Sequence, residues 1–166
     1  MRSLLLVALL LVGACNPVLS PDVPNSLTGT WTVQMSFSGV RQVCRLFEGC
    51  WEFSLACTGQ TTWTVEHDYR MDGPDFGITG IQTGILSCKG EKTGASEKGE
   101  KTGASEMDMN YRLWGGWKEN TLSIHFNATF GCIQFNGTMR TATTADGTVG
   151  GAPCNWAVGT WSATRK

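Results

Sequence analysis

The 166-residue chain lacks the charge imbalance and the motifs that mark several large classes of protein. Its 13 basic and 14 acidic residues nearly cancel, so neither a nucleic-acid partner nor a polybasic membrane patch is predicted. The chain contains no G-x-S-x-G elbow, no H-E-x-x-H helix, no phosphate loop and no dinucleotide fingerprint. We therefore expect no enzymatic activity and no cofactor.

Histidine is scarce, and neither of the two copies stands in a catalytic pattern. Strand alternation places His67 on an apolar face and His125 on a polar face of another strand. Glu66 and Asp68 would share the opposite face from His67 and could act as paired carboxylates, but such pairs are common on solvated strand faces. We expect no catalytic residue among them.

The chain also lacks C-x-x-C pairs and Cys-His pairs at ligand spacing, so no metal site is predicted. It does contain seven cysteines, of which Cys15 is discussed below. The other six form an even set, which in an exported domain indicates up to three disulfides with fifteen possible pairings. These disulfide candidates are Cys44, Cys50, Cys57, Cys88, Cys132 and Cys154.

The only long apolar run lies at the start of the chain, where Arg2 is followed by LLLVALLLVGAC over residues 4–15. This order is that of a secretory signal, and the run is too short for a stable membrane span. Val12-Gly13-Ala14-Cys15 resembles the lipobox of bacterial lipoproteins. The resemblance implies a signal peptide over residues 1–14 and attachment of acyl chains such as palmitate to Cys15. Residues 15–26 would then be the lipidated cysteine and an extended, proline-bearing tether.

The lipobox resemblance also predicts a location and a first partner. The protein would be anchored to a membrane of the cell envelope through its N-terminal lipid. Asn16 follows the cysteine, and in the lipoprotein family a residue other than Asp at this position implies the outer membrane. A protein partner is not specified by the sequence.

Strand patterns fill residues 27–166, and no stretch shows a helical stripe of ten or more residues. In Leu27–Phe37 the residues Trp31, Val33, Met35 and Phe37 alternate with polar ones, which is typical of a strand with one buried face. Similar segments recur to the end of the chain. They predict an all-β domain, an antiparallel up-and-down meander closing into a barrel of about eight strands. The recurrence of Gly-Thr-Trp at 29–31 and 159–161 supports closure, because the first and last strands of such a barrel are neighbours.

Three clusters interrupt the strand pattern and predict connections. Residues 58–60 (TGQ) predict the turn of a hairpin, and residues 145–147 (ADG) predict another. A nine-residue unit occurs twice, at 90–98 and 99–107, with eight of nine positions identical. This repeat is polar and cannot form a core, so it predicts a duplicated segment inside a loop at 89–106.

The opening strand, Ser26 to Trp31, resembles that of lipocalins and avidins, which share a G-x-W signature. The resemblance implies a small ligand-holding barrel. In lipocalins the tryptophan closes one end of the barrel against a basic residue of the last strand, for which Arg165 is the candidate. The late T-D-Y turn of lipocalins is missing, and Val33 and Phe37 stand where avidins place polar biotin contacts, so biotin is not predicted.

Two functions follow as expectations. The first is a membrane-anchored, lipocalin-like barrel that binds a small apolar ligand. Its candidate lining residues, which could equally be core, are Trp31, Trp51, Trp63, Tyr69, Phe126 and Phe135. The alternative is a structural or interaction lipoprotein with a filled core and no small-molecule ligand. For either function, Trp114 and Trp117 are candidates for a mouth or partner contact, since they flank two glycines in a predicted loop over residues 114–120.

Overall fold

A computed structural model describes residues 26–45, 49–70, 76–94, 97–128, 131–152 and 154–166. The predicted signal peptide, Cys15 and the tether before Ser26 lie outside these residues. The described chain is built of β-strands: β1 (Gly29–Arg45), β2 (Gly49–Arg70), β3 (Phe76–Gly94), β4 (Glu97–Asp108), β5 (Tyr111–Lys118), β6 (Thr121–Ala128), β7 (Gly131–Thr141), β8 (Thr144–Val149) and β9 (Ala157–Arg165).

The strands form one antiparallel sheet that closes on itself. Each strand from β5 to β9 pairs with the next, β9 pairs with β1, and β1, β2 and β3 follow in order. β3 then pairs with β5, which completes an eight-stranded barrel with β4 as one additional strand. The predicted meander barrel is confirmed, and so is the pairing of first and last strands, since Trp31 lies opposite Arg165.

A four-stranded extension projects beyond one end of the barrel. β9 pairs with β1 only as far as Gly39, so the rest of β1 pairs with β2 alone. The second half of β3, from Ile85, pairs with β2 and with β4 instead of β5. These distal halves of β1, β2 and β3, together with β4, form the extension.

The predicted loop at 89–106 is wrong, because this segment forms the end of β3 and most of β4. The first three residues of the first copy, 90–92, pair in antiparallel register with residues 100–102 of the second copy. Glu91 lies opposite Lys101, and Lys92 lies opposite Glu100. A polar segment can therefore extend a sheet, because the partner strand satisfies its backbone groups and residues of opposite charge occupy paired positions.

The other two segments that were predicted to be turns, residues 58–60 and 145–147, also lie within strands. Residues 58–60 lie in the middle of the continuous β2, so the predicted hairpin there is wrong. Residues 145–147 lie within β8, and the turn falls at 142–143. The predicted loop at 114–120 belongs mostly to β5. At Gly115 a Cβ would stand 2.1 Å from the Ser123 carbonyl oxygen, so this glycine serves close strand packing and not a turn.

The barrel interior contains the hydrophobic core. Alternate residues of every barrel strand point inward, and Val33, Phe126, Ile133 and Phe135 are fully buried. Outward positions are mostly Thr, Ser, Gln and charged residues. The period-two pattern of the sequence is therefore expressed as an apolar inside and a polar outside.

Candidate functional site

Aromatic rings pack against one another at the centre of the barrel. The ring centroid of Trp63 lies 5.1 Å from that of Phe135 and 5.3 Å from that of Trp161. Phe126 stacks on Phe135 at 5.6 Å. Such separations are those of contacting aromatic pairs, so these rings fill the interior as a packed cluster.

The predicted lining residues can now be placed. Trp31, Trp63, Phe126 and Phe135 are all buried inside the barrel. The side chains of Trp51 and Tyr69 lie outside the described part of the molecule. The four described residues are brought together, but as neighbours in a core rather than as the wall of an open chamber.

A small cavity lies between this cluster and the Trp31 end of the barrel. Its volume is about 20 Å³, and all ten lining side chains are apolar, among them Leu27, Trp31, Trp63 and Trp161. Sites for drug-sized ligands are typically about 300–1,000 Å³. This cavity therefore offers room for a group of about one or two heavy atoms.

The Trp31 end of the barrel is closed by the last strand and the segment before β1. The Arg165 guanidinium carbon lies 5.8 Å from the centre of the Trp31 ring. The same guanidinium donates hydrogen bonds to the carbonyl oxygens of Ser26, at 3.2 Å, and Thr28. The expected contact between the tryptophan and a basic residue of the last strand is thus present, with Arg165 also fixing the segment that covers the end.

Asp68 binds the same closed end from β2. One carboxylate oxygen accepts the Leu27 backbone N–H at 2.6 Å, and the other accepts the Trp117 indole N–H at 3.2 Å. The pairing of β2 with β3 shifts register between Val65 and His67, which is a β-bulge. The bulge turns Asp68 toward the covered end and leaves His67 exposed. The predicted apolar-face position of His67, and the shared solvated face of the two nearby carboxylates, are therefore wrong.

Trp114 and Trp117 lie on opposite faces of β5. Trp117 is buried at the closed end and so is not exposed at a mouth. Trp114 is half-buried on the outer face, where its ring meets the His125 ring edge-on at 4.6 Å. Partial burial lowers the pKa of His125 below its ordinary value of 6.5. Of the two candidates, Trp114 alone remains placed for contact with a partner.

Beside His125, Gln134 of β7 holds a small polar network. Its side-chain amide donates to the Ser123 hydroxyl and to the Asn136 side-chain oxygen Oδ1, both at 3.0 Å. Asn136 in turn donates to the Gly150 carbonyl oxygen at 2.6 Å. Together with Trp114 and His125, this network gives the outer face of β5–β7 a fixed arrangement of aromatic and hydrogen-bonding groups, here called the outer patch.

A concavity of about 480 Å³ lies elsewhere on the outer surface, across β9, β1, β2 and β3. Most of its lining side chains are small. They are the hydroxyl-bearing Ser36, Ser38, Thr58, Ser87 and Thr160, together with Ala56 and the 63 % exposed Val158, and the longer Lys89 also lines it. Sequence reasoning missed this outer groove, because the groove depends on which outward residues of four strands come into register.

Disulfides join strands at two places. Cys57 of β2 is bonded to Cys88 of β3, directly opposite, and Cys132 of β7 is bonded to Cys154 in the segment before β9. The first crosses the barrel wall near the base of the extension. The second fixes the segment between β8 and β9 to the rim of the barrel.

Cys50 is also disulfide-bonded, and the register places Cys44 opposite it on β1. The prediction of disulfides is confirmed. Within the described residues, no group of three or more His, Cys, Asp or Glu is arranged to hold a metal ion.

Comparison with protein-family models, with curated proteins and with solved structures gives no match for this chain. The fold defines its class instead: a small, closed, antiparallel barrel of eight strands, consistent with a calycin-like barrel. No helix in the described ranges is long and apolar enough to cross a membrane.

Proposed function

We propose that this protein is a lipid-anchored lipoprotein of the cell envelope whose filled, lipocalin-like barrel acts through its outer surface. One observation carries the second half of this proposal: the interior is occupied by packed aromatic side chains and leaves a cavity of about 20 Å³. An interior packed with aromatic rings in this part of the barrel supports a function carried by the outer surface.

The anchoring half of the proposal is supported by the lipobox at residues 12–15. Ser26 lies at the closed end of the barrel and is eleven residues after Cys15. A fully extended chain of this length spans at most about 40 Å. The closed end would then face the lipid surface, in the outer membrane as Asn16 implies, and the four-stranded extension would point away from it.

Two features of the outer surface suit contact with a partner. The outer patch around Trp114 combines an aromatic ring with amide and hydroxyl groups, and aromatic residues are enriched at binding surfaces. The outer groove, at about 480 Å³, lies within the range of about 300–1,000 Å³ typical of drug-sized ligand sites. We propose the outer patch as the first candidate, because its side chains are held in place by hydrogen bonds.

The test of the filled interior is native mass spectrometry of the domain purified without residues 1–15 from an oxidising compartment, compared with the same sample after organic extraction. We expect the same mass before and after extraction. An apolar molecule bound in near-stoichiometric amount would contradict the filled interior and identify the ligand class.

A second function, binding of a small apolar ligand inside the barrel, is favoured by the wholly apolar lining of the cavity. Leu27 covers this cavity and belongs to the segment that Asp68 and Arg165 hold in place. Displacement of Leu27 would enlarge the cavity. The same mass spectrum decides between the two functions.

The anchoring is tested by fractionation of cells that express the wild type or Cys15→Ser. We expect the wild type in the membrane fraction and the variant outside it. A matched Cys50→Ser variant, which loses a disulfide and not the anchor, should stay with the membrane. Retention of Cys15→Ser in the membrane fraction would contradict the lipoprotein assignment.

A further inference from the structure

Two buried polar side chains stand out in the otherwise apolar interior. Thr61 of β2 and Gln82 of β3 are 1 % and 0 % exposed. Among the described residues, neither the Thr61 hydroxyl oxygen nor the Gln82 side-chain nitrogen has a hydrogen-bond partner. An unpaired buried polar group destabilises the folded state, and native structures contain few of them. Two in one place indicate that something else binds there.

The two side chains are neighbours on the inner face of adjacent strands. Trp63 lies directly opposite Gln82, and Thr61 lies opposite Gly84. Thr61 and Gln82 are therefore diagonal cross-strand neighbours, a relation that brings Cβ atoms to somewhat less than about 7–8 Å. A single atom can lie within hydrogen-bond distance of both polar ends, because a glutamine side chain reaches across such a diagonal.

Contacts with neighbouring residues determine which polar atoms of Thr61 and Gln82 are left without a partner. The Gln82 side-chain oxygen is already used, since it accepts the Trp63 indole N–H at 3.0 Å. The methyl group of Thr61 packs against Gly84, where a Cβ would be only 3.2 Å from it. The remaining groups are an amide N–H, which only donates, and a hydroxyl, which can donate or accept. Trp63, whose N–H holds the amide, also lines the cavity of about 20 Å³.

We propose that Thr61 and Gln82 form a buried site for one oxygen acceptor, supplied either by an enclosed water molecule or by the carbonyl or hydroxyl oxygen of a ligand of a few heavy atoms. The occupant accepts the Gln82 amide N–H and pairs with the Thr61 hydroxyl. Both side chains are at most 1 % exposed, so the barrel encloses the occupant and only a small one fits.

The decisive variant is Thr61→Val, which replaces the hydroxyl by a methyl group of similar shape. With an occupant bound, the substitution leaves that occupant one hydrogen bond short, and we expect the equilibrium constant for folding to fall about tenfold. Thr61→Ser keeps the hydroxyl, so its hydrogen bond to the occupant should remain. The equilibrium constant for folding should then not show the loss that removal of the hydroxyl causes. Thr64→Val, at an exposed position of the same strand, is the matched control for the higher β-propensity of valine.

An unchanged or higher stability of Thr61→Val would overturn the proposal. If the hydroxyl is truly unpaired, Thr61→Val removes a buried, unsatisfied group and the variant is as stable as the wild type or more so, after correction by Thr64→Val. Urea unfolding of all three variants measures this.

The source of the oxygen is identified by a crystal structure of the wild type and by native mass spectrometry. Density between the two side chains with a mass adduct means a ligand, and density without an adduct means an enclosed water. An empty site in the crystal would overturn the proposal whatever the variants do. Membrane fractionation is unaffected in every case, so failure here leaves the anchoring proposal standing.

Discussion

Truncation of Phe135 tests whether the interior of the barrel is as tightly packed as its ring contacts indicate. The side chain is fully buried and touches three other rings, those of Trp63, Phe126 and Trp161, at centroid distances of 5.1, 5.6 and 6.0 Å. Phe135→Ala removes all three contacts at once. It leaves a cavity that neighbouring strands cannot close, because the barrel wall fixes their spacing.

The expected magnitude is large for a chain of this size. Buried Phe→Ala substitutions cost about 3–5 kcal/mol, against about 5–15 kcal/mol for the total stability of a typical domain. We place Phe135→Ala near the upper value, since contacting ring pairs contribute about 0.5–1.5 kcal/mol beyond area burial. Ile85→Ala, at a 57 % exposed apolar position, is the matched control and should change stability by less than about 0.5 kcal/mol.

Urea unfolding followed by tryptophan emission suits this variant, because Trp63 and Trp161 both report on the space next to residue 135. The enlarged interior should also bind benzene, so the variant should become more stable as benzene is added while the wild type does not. A loss below about 1 kcal/mol with unchanged emission would refute the filled interior, and with it the main support for action through the outer surface.

Three further predictions concern the closed end, a disulfide and the outer patch. Arg165→Ala removes the donors to two carbonyls and the contact with Trp31; unfolding free energy should fall by about 1–3 kcal/mol, and hydrogen exchange at residues 26–28 should accelerate. Replacing Cys57 and Cys88 together by serine should cost about 2–5 kcal/mol in urea unfolding under oxidising conditions, and wild type in reductant, which also loses the Cys132–Cys154 bond, should lose at least as much. The lowered pKa of His125 means that the unfolded chain binds its proton first, so stability should decline as pH falls below about 6.5; His125→Gln should flatten that part of the pH profile.

The barrel could be predicted from the sequence because its main determinants are local. Alternation in Leu27–Phe37 identified an inward face, and the recurrence of Gly-Thr-Trp indicated that first and last strands meet. The bulge after Val65 could not be predicted, since one extra residue changes which face every later side chain occupies without altering the pattern of letters. It was this bulge that exchanged the expected positions of His67 and Asp68.

The candidate sites were predicted less completely. The G-x-W resemblance correctly paired Trp31 with Arg165. The signal for the interior polar site was present but unused: Gln82 occupies an inward position between Ile78 and Leu86 in the alternation of β3. The outer groove has no such signal, because it arises from register across four strands and not from any one segment.

The self-pairing of the duplicated segment carries a consequence for how the extension arose. Each copy begins Gly-Glu-Lys, and antiparallel pairing reverses one copy, so Glu91 of the first lies opposite Lys101 of the second and Lys92 lies opposite Glu100. A single duplication event therefore creates both strands of a charge-matched hairpin together, with no further substitution required. A directly repeated Glu-Lys pair thus matches itself in charge when the two copies are paired in antiparallel register.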